Sequence, residues 1–235
     1  ISLVLLLKKT AISLRLSFTL HAEVPRLLNM IGNLFIRTIA LNVALYLATS
    51  YATDYGKEYI AAYTISINIW LLGAFMIDGY SSAGNILSGK LLGAKEYKSL
   101  VILSNKLFKY GIVIGTIIAV LGAVFYNAIG RIFTNETLVL EQFYTVFWIV
   151  LITQPINAIT FIFDGMFKGM GEMKYLRNLL ILATGLVFVP ILLIFDYLNY
   201  KLIAIWLAFT CWIIARGLPL VFKFRKKFIP LAENQ

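Results

Sequence analysis

The chain has 235 residues, of which 60% are hydrophobic and 14% charged, and its mean hydropathy is +0.86. A soluble domain of this length cannot bury so much apolar surface, so the composition excludes a soluble protein and predicts an integral membrane protein in a lipid bilayer. The net charge of +10 does not indicate a nucleic-acid partner, because the lysines and arginines are concentrated in alternate loops, a distribution typical of membrane orientation.

Several apolar segments are long enough to cross a hydrocarbon core about 30 Å thick as α-helices, whereas the strands of a membrane barrel are short and alternating. Residues 1–7 are interpreted as the end of a truncated transmembrane helix, and the basic residues 8–29 as a linker at the membrane surface. We predict an all-α bundle of six transmembrane helices within residues 30–222, over 30–52, 58–92, 107–126, 143–168, 179–195 and 202–222. Residues 223–235 are a basic tail.

The cations predict how these helices are oriented. Lysine and arginine gather in the linker, in the loops after the second and fourth spans and in the tail, while the intervening loops collect acids. By the positive-inside rule the linker and the C-terminus are therefore cytoplasmic. An even number of spans agrees with this orientation, and we expect a multi-pass protein of the cell membrane, either a plasma or an inner membrane.

Two predicted helices carry a carboxylate inside an apolar stretch, each within the pattern Phe-x-x-Asp-Gly that ends at Asp78-Gly79 and Asp164-Gly165. Ionising a carboxylate at membrane depth costs several kcal/mol unless it is paired or hydrated, so both acids are candidate functional residues. Helical spacing places further polar side chains on the same faces. The candidate substrate and proton pathway comprises Asp78, Asn85, Gln154, Asn157 and Asp164.

Arginine can neutralise such an acid. Arg37 and both aspartates are predicted in the cytoplasmic half of the bundle, and we expect Arg37 to pair with Asp78 in preference to Asp164. Arg216 is another candidate partner near Asp164. An unpaired Asp164 would then be the better proton carrier. In the alternative interpretation the ion pair is only a structural clip, and Arg37 extends its charge to the interface.

Other residues predict the shape of the bundle and exclude several chemistries. Pro155 and Pro190 lie inside predicted spans, where proline removes a backbone hydrogen bond and kinks the helix. The four tryptophans are interpreted as interfacial and packing residues and not as a drug-binding cage. One cysteine and one histidine are too few for a thiolate or imidazole metal site. Without nucleotide-binding or hydrolase motifs, we expect no enzyme activity, no metal and no cofactor.

Several motifs, in their order and in their placement on the spans, resemble the multidrug and toxic compound extrusion (MATE) transporters, and more narrowly their DNA-damage-inducible protein F (DinF) branch. They are Phe35-Ile36-Arg37-Thr38, Ile77-Asp78-Gly79, Leu91-Leu92-Gly93-Ala94, Phe163-Asp164-Gly165-Met166-Phe167, Arg177-Asn178 and Ala215-Arg216-Gly217-Leu218. The resemblance covers nearly the whole chain. It implies a transporter of twelve helices in two lobes, of which this chain is the C-terminal six-helix lobe, preceded by the inter-lobe linker.

The resemblance also implies a function. Such proteins export organic, often cationic or amphipathic, compounds by alternating access against inflow of H⁺ or Na⁺, so the implied partners are the missing N-terminal lobe and a small organic substrate. Where the Na⁺-coupled branch has acids on its seventh and tenth helices, this chain has Leu41-Asn42 and Asn157, which favours H⁺ over Na⁺. The principal proton-binding aspartate of the DinF-like branch belongs to the first helix, which is absent from this chain.

Two alternatives stay open. A lipid-linked saccharide flippase of the same superfamily would carry more arginines in its cavity, whereas Arg37 is the one good candidate here. A membrane scaffold subunit without transport activity would keep its buried charges only to fix the register of its helices. Polar stripes that pack against each other, with no face open to a cleft, would support the scaffold.

Overall fold

The computed structural model describes residues 24–235, except the side chain of Arg26, and the regular elements in this range are all helical. The predicted helix end at 1–7 and most of the predicted linker lie outside the described residues. The helices are α1 (Val24–Asp54), α2 (Lys57–Gly93), α3 (Tyr97–Val124), α4 (Tyr126–Phe133), α5 (Thr137–Ile152), α6 (Gln154–Gly169), α7 (Met173–Ala183), a π-helical turn (Thr184–Phe188), α8 (Val189–Tyr197) and α9 (Leu202–Glu233).

The apolar segments form membrane-length helices. Within residues 24–235, five helical spans are long and apolar enough to cross a bilayer, and six if α5 and α6 together make one bent span. The π-helical turn joins α7 and α8 into the span Met173–Tyr197. The predicted all-α bundle of membrane-spanning helices is confirmed.

The helix ends differ from the predicted boundaries in two places. Within the described residues helix α1 covers Val24–Asp54, so the last part of the predicted linker, including Pro25, is helical. Helix α9 continues to Glu233, so most of the predicted tail extends the last span. Amphipathic spacing explains this extension, since Phe224 and Phe228 are buried while the lysines between them are exposed.

Both predicted proline breaks coincide with irregular backbone. The axes of α5 and α6 differ by 51°, and Pro155 occupies the first turn of α6. Pro190 lies two residues after the end of the π-helical turn, in the first turn of α8. In both places the missing N–H interrupts the regular i to i−4 ladder, which then bends or widens.

The helices pack around two apolar clusters. The larger cluster joins α1, α2, α5, the whole span from α7 through the π-helical turn to α8, and α9. It contains buried aromatic side chains such as Phe143, Phe147, Trp206 and Phe209. The smaller cluster joins α2, α3, α6, α7 and α9 around Phe163, Phe167 and Phe224. The second Phe-x-x-Asp-Gly helix, α6, contacts both clusters and forms the centre of the lobe.

Helices α2 and α6 approach closely because small residues line their contact. A Cβ on Gly165 would clash with the hydroxyl of Ser81, and one on Gly169 would clash with the carbonyl of Asn85. Ser81 Oγ donates to the carbonyl of Phe161 at 2.7 Å, and Ser88 Oγ donates to that of Met166 at 3.0 Å. Close backbone packing with interhelical hydrogen bonds stabilises helix pairs in lipid, where the hydrophobic effect does not drive association.

The loop after α6 is tied to the last helix. Glu172 accepts hydrogen bonds from Lys223 at 3.1 Å and from Lys227 at 2.9 Å. Partial burial by itself would raise the pKa of Glu172, but the two lysines outweigh it and hold that pKa below its usual value.

The side chain of Gln235 accepts hydrogen bonds from the backbone N–H groups of Tyr97 and Lys98, so Gln235 is held against the start of α3.

We expect Gly165→Ala to destabilise the lobe by about 1–3 kcal/mol, because the added methyl group forces α2 and α6 apart. Thermal unfolding in detergent measures the effect. Gly79→Ala is the matched control, since a Cβ at Gly79 meets no atom of the described residues within 4 Å. Equal unfolding midpoints for the two variants would contradict the role assigned to this contact.

Glu172 predicts a pH dependence of stability. Because its pKa is lower in the folded protein than in the unfolded chain, its contribution is present above the unfolded pKa of 4.5 and is lost as the pH falls below that value. The wild-type protein should therefore keep its advantage in unfolding midpoint over Glu172→Gln down to about pH 5 and lose it between about pH 5 and pH 3, as the pH falls through the lowered folded-state pKa. A difference that stays constant over this range would show that the carboxylate charge is not responsible.

A buried charged cluster and the adjacent cavity

Asp164 is the centre of a charged cluster inside the lobe. Its side chain is 6% exposed, yet three cations surround it. Arg37 Nη2 lies 2.7 Å from Oδ1 and 2.8 Å from Oδ2, and Lys168 Nζ lies 2.8 Å from Oδ2. Arg216 Nη2 lies 3.7 Å from Oδ1. Both carboxylate oxygens thus lie close to positive charge, which offsets the free-energy cost of burying an ionised group.

Three helices supply this cluster. Asp164 and Lys168 are one turn apart on α6, Arg37 comes from α1, and Arg216 comes from α9. The first and last spans of the lobe are therefore tied to the central helix through one carboxylate. The i, i+4 spacing of Asp164 and Lys168 is a signal in the sequence that our prediction missed.

Arg216 extends the cluster toward the irregular span. Its guanidinium carbon lies 4.5 Å from the ring centroid of Trp212, a cation–π contact. Trp212 Nε1 donates a hydrogen bond of 3.0 Å to the hydroxyl of Thr184, the first residue of the π-helical turn. Arg216 is only 3% exposed, so this contact chain is buried.

The structure corrects the predicted pairing of Arg37. The prediction favoured Asp78, but Arg37 binds Asp164, and Asp78 is exposed and forms no salt bridge with any residue of the 24–235 range. The physical reason is the direction of the side chains: Asp164 lies on the face of α6 that meets α1 and α9, while Asp78 lies on an open face of α2. The interpretation of Asp164 as the unpaired acid is therefore wrong: Asp164 is the ion-paired acid, and Asp78 has no ion pair among the described residues.

Asp78 borders a cavity of about 170 Å³. Arg216 forms another part of its wall, so the unpaired acid and the buried arginine share one space. The remaining lining is apolar and aromatic and comprises Leu41, Leu45, Trp70, Leu71, Ala74, Phe75, Phe161 and Trp212. Two of the tryptophans that we interpreted as packing residues therefore also line a cavity, whereas Trp148 is 50% exposed.

The other predicted pathway residues do not face this cavity. Gln154 and Asn157 are buried between helices, and Gln154 fits against Gly73 of α2. Among the described residues, Gln154 Oε1 and both side-chain polar atoms of Asn157 have no hydrogen-bond partner. Asn85 is half-buried, and its carbonyl lies against Gly169. Of the polar stripe predicted on α6, Gln154 and Asn157 are thus two buried amides, and Asp164 belongs to the charged cluster.

A second and larger cavity, of about 600 Å³, lies where α1, α2, α6 and α7 meet. Lys168 and Lys174 contribute cations to its wall, and Asn33 contributes an amide. Arg177 Nη1 donates to Asn33 Oδ1 at 2.7 Å, which fixes this amide. Lys168 therefore connects the Asp164 cluster to this cavity.

The charged cluster predicts unequal effects for the two aspartates. Asp164→Asn would leave Arg216 buried without an opposing charge, and we expect a loss of about 3–5 kcal/mol in the free energy of unfolding. The control Asp78→Asn should change it by no more than about 0.5 kcal/mol, because no ion pair is lost. Unfolding of the two purified variants in detergent measures the difference, and losses of equal size would contradict the pairing as the stabilising contact.

Comparisons with known proteins were made for sequence and for fold. The family model described as MatE matches residues 34–194. Protein DETOXIFICATION 42 of Arabidopsis thaliana is 28% identical over 200 residues, which are 85% of this chain and 38% of that protein. Protein DETOXIFICATION 43 of the same plant is 24% identical over 185 residues, which are 79% of this chain and 35% of that protein. The chain therefore spans well under half the length of these curated relatives.

Solved structures show the same fold. An outward-facing MATE family transporter of the MOP superfamily superposes with a TM-score of 0.82 at 19% identity, covering 94% of this chain and 50% of that one. A MOP superfamily transporter from Pyrococcus furiosus gives a TM-score of 0.84 at 17% identity, covering 97% of this chain and 52% of that one. The described lobe thus corresponds in fold to about half of such a protein.

Proposed function

The chain belongs to the MatE family, whose members are non-enzymatic membrane transporters, and from that premise we propose that it is the C-terminal lobe of a proton-coupled efflux antiporter. The cargo is a small organic compound, and the second partner is an N-terminal lobe of six helices. We place the protein in the cell membrane with the linker and the C-terminus in the cytoplasm, as the distribution of cations predicts. Each lobe of such a transporter forms one wall of a central passage, and alternating access moves the lobes against each other.

The choice of the C-terminal lobe and of the DinF-like branch is supported by the motifs around Arg37, Asp78, Asp164 and Arg216. Three of these four residues meet in the charged cluster, so three of the motifs that carry the resemblance are also joined in space. Asn157 occupies the position where a Na⁺-coupled relative would have an acid on its tenth helix. This residue supports H⁺ as the coupling ion, with Na⁺ as the alternative.

One observation carries the proposal: Asp78, which has no ion pair among the described residues, borders a cavity whose wall also includes Arg216, one of the cations around Asp164. A carboxylate with three cationic neighbours is a poor proton acceptor, whereas an unpaired one can change its charge during transport. We assign Asp78 to the proton and substrate pathway and Asp164, with Arg37 and Arg216, to the brace that holds α1, α6 and α9. We assign the three predicted amides to packing: Gln154 and Asn85 lie in the contact between α2 and α6, and Asn157 is buried on α6.

The cavity also bears on the two alternatives. A scaffold would have every polar stripe sealed inside the bundle, but Asp78 lies at a concave and accessible wall. A flippase for lipid-linked saccharides gains one observation from the structure. Arg216, which the sequence analysis did not count as a cavity arginine, lines the cavity, and Arg37 and Lys168 lie with it around Asp164. This second candidate would carry an anionic lipid phosphate past the cationic cluster.

Transport by the full-length protein in proteoliposomes tests the proposal. An imposed ΔpH should drive ethidium across the membrane, and nigericin, which collapses ΔpH, should stop it. Asp78→Asn should reduce ΔpH-driven transport by about tenfold or more, because the neutral side chain cannot exchange a proton for cargo. Asp54→Asn is the matched control, since it removes an acid at the end of α1 and away from the cavity.

Two results would contradict the proposal. Absence of ΔpH-driven movement of ethidium in well-folded wild-type protein would remove the proton-coupled antiporter. Unchanged transport by Asp78→Asn would leave the antiporter in place and remove Asp78 from its mechanism.

A further inference from the structure

The larger cavity, of about 600 Å³, lies at one end of the helical bundle. Its wall includes Gly93, the last residue of α2, Gly169, the last residue of α6, and Lys174 in the first turn of α7. Membrane-spanning helices end near the surface of the bilayer. The cavity is therefore at the level of the lipid headgroups, and the proposed orientation assigns it to the cytoplasmic leaflet.

The wall of this cavity carries positive charge. Lys168 and Lys174 line it, and within residues 24–235 no aspartate or glutamate does. Lys174 is exposed and forms no salt bridge with a described residue. Lys168 shares Asp164 with two arginines, so one carboxylate opposes three cations. An excess of positive charge therefore lies at this wall.

A further cation lies one hydrogen bond behind the wall. Arg177 Nη1 donates to Asn33 Oδ1 at 2.7 Å, and Arg177 Nε and Nη2 both donate to Asn178 Oδ1. Asn33 lines the cavity itself. The partners of Arg177 in the described part of the chain are thus neutral amides, which fix the guanidinium without opposing its charge. The positive potential of Arg177 adds to that of the two lysines.

The cavity also offers apolar surface. Leu27 and Met30 of α1 and Leu92 of α2 line it. The same stretch of α1 exposes Leu28 and Ile31 outside the cavity. A volume of about 600 Å³ is within the range of pockets that bind small organic groups. Cations next to exposed apolar side chains are complementary to an amphipathic anion.

We propose that this cavity binds the headgroup of an anionic phospholipid, with the phosphate at Lys168 and Lys174 and the acyl chains along the exposed apolar residues of α1. Basic pockets between membrane helices on the cytoplasmic side suit such headgroups. The lipid supplies the negative charge that the described acids lack. Because Lys168 also binds Asp164, the lipid is linked to the cluster that joins α1, α6 and α9. This binding is independent of the cargo and of the coupling ion.

Native mass spectrometry of the purified full-length protein in detergent tests this site, with dioleoyl phosphatidylglycerol as the probe. Dioleoyl phosphatidylcholine has the same chains but no net charge, and glycerol 3-phosphate has a phosphate but no chains. We expect the first phosphatidylglycerol to bind about fivefold or more tightly than phosphatidylcholine, which is the effect of one lysine beside a lipid phosphate. Glycerol 3-phosphate at the same concentration should not displace it.

Variants of Lys174 identify the site. Lys174→Gln should weaken binding of the first phosphatidylglycerol about fivefold and leave phosphatidylcholine unchanged, whereas Lys174→Arg keeps the charge and should keep most of the affinity. Lys226→Gln is the matched control, because it removes an exposed lysine from α9, a helix that does not line this cavity. Unfolding midpoints without added lipid should be equal for all four proteins, which separates loss of binding from loss of fold.

Three results would overturn the proposal. Phosphatidylcholine that binds as tightly as phosphatidylglycerol would remove the role of charge. Equal losses of affinity in Lys174→Gln and Lys226→Gln would show a general attraction to the surface and no site in the cavity. Displacement by glycerol 3-phosphate would assign the cavity to a soluble organic phosphate. None of these measurements involves transport, so their outcome leaves the proposed antiporter untouched.

Discussion

The pairing of Asp164 with cations from three helices is the interaction on which the arrangement of the lobe depends. A carboxylate at membrane depth is costly by itself, and so is each arginine. Brought together they offset one another, and this requirement fixes how α1, α6 and α9 lie relative to one another. The contact from Arg216 through Trp212 to Thr184 extends the same constraint to the irregular span. One acid thus positions four of the membrane-crossing elements.

Close packing of α2 against α6 complements this charged constraint. Apolar burial does not hold helices together in lipid, so the lobe relies on small residues that allow backbone approach and on serine hydroxyls that bond across the contact. Gly165 directly follows Asp164, so one turn of α6 provides both the carboxylate that binds α1 and α9 and the glycine that allows α2 to approach closely. The short Asp-Gly pattern therefore serves two different physical requirements. In α2 the equivalent Asp78-Gly79 pair meets neither, and its acid is left at the cavity.

This asymmetry between two similar motifs is the basis of the functional assignment. A neutralised acid provides a rigid wall, and an acid without a partner provides a group that can bind a proton or a cationic cargo. The cavity combines that acid with the buried guanidinium of Arg216 and an aromatic lining. In the proposed antiporter, binding and release of cargo would be coupled to a change of charge at Asp78, while the braced helices keep their positions. The proposed antiporter requires one acid whose charge stays fixed, Asp164, and another whose charge can change, Asp78.

Composition and periodicity were sufficient to predict the membrane class, the helical bundle, the approximate spans and the breaks at Pro155 and Pro190, because each depends on short-range properties of the chain. The motifs around Arg37, Asp78, Asp164 and Arg216 were also visible in the sequence, and they identified the residues that matter. Only the tertiary structure decided which acid Arg37 binds, that Lys168 and Arg216 join it, and that Asp78 and Arg216 share a cavity. Helical spacing tells which residues share a face of one helix, but the partner of that face depends on the rotation and packing of all the other helices. A local sequence pattern therefore does not determine these long-range contacts.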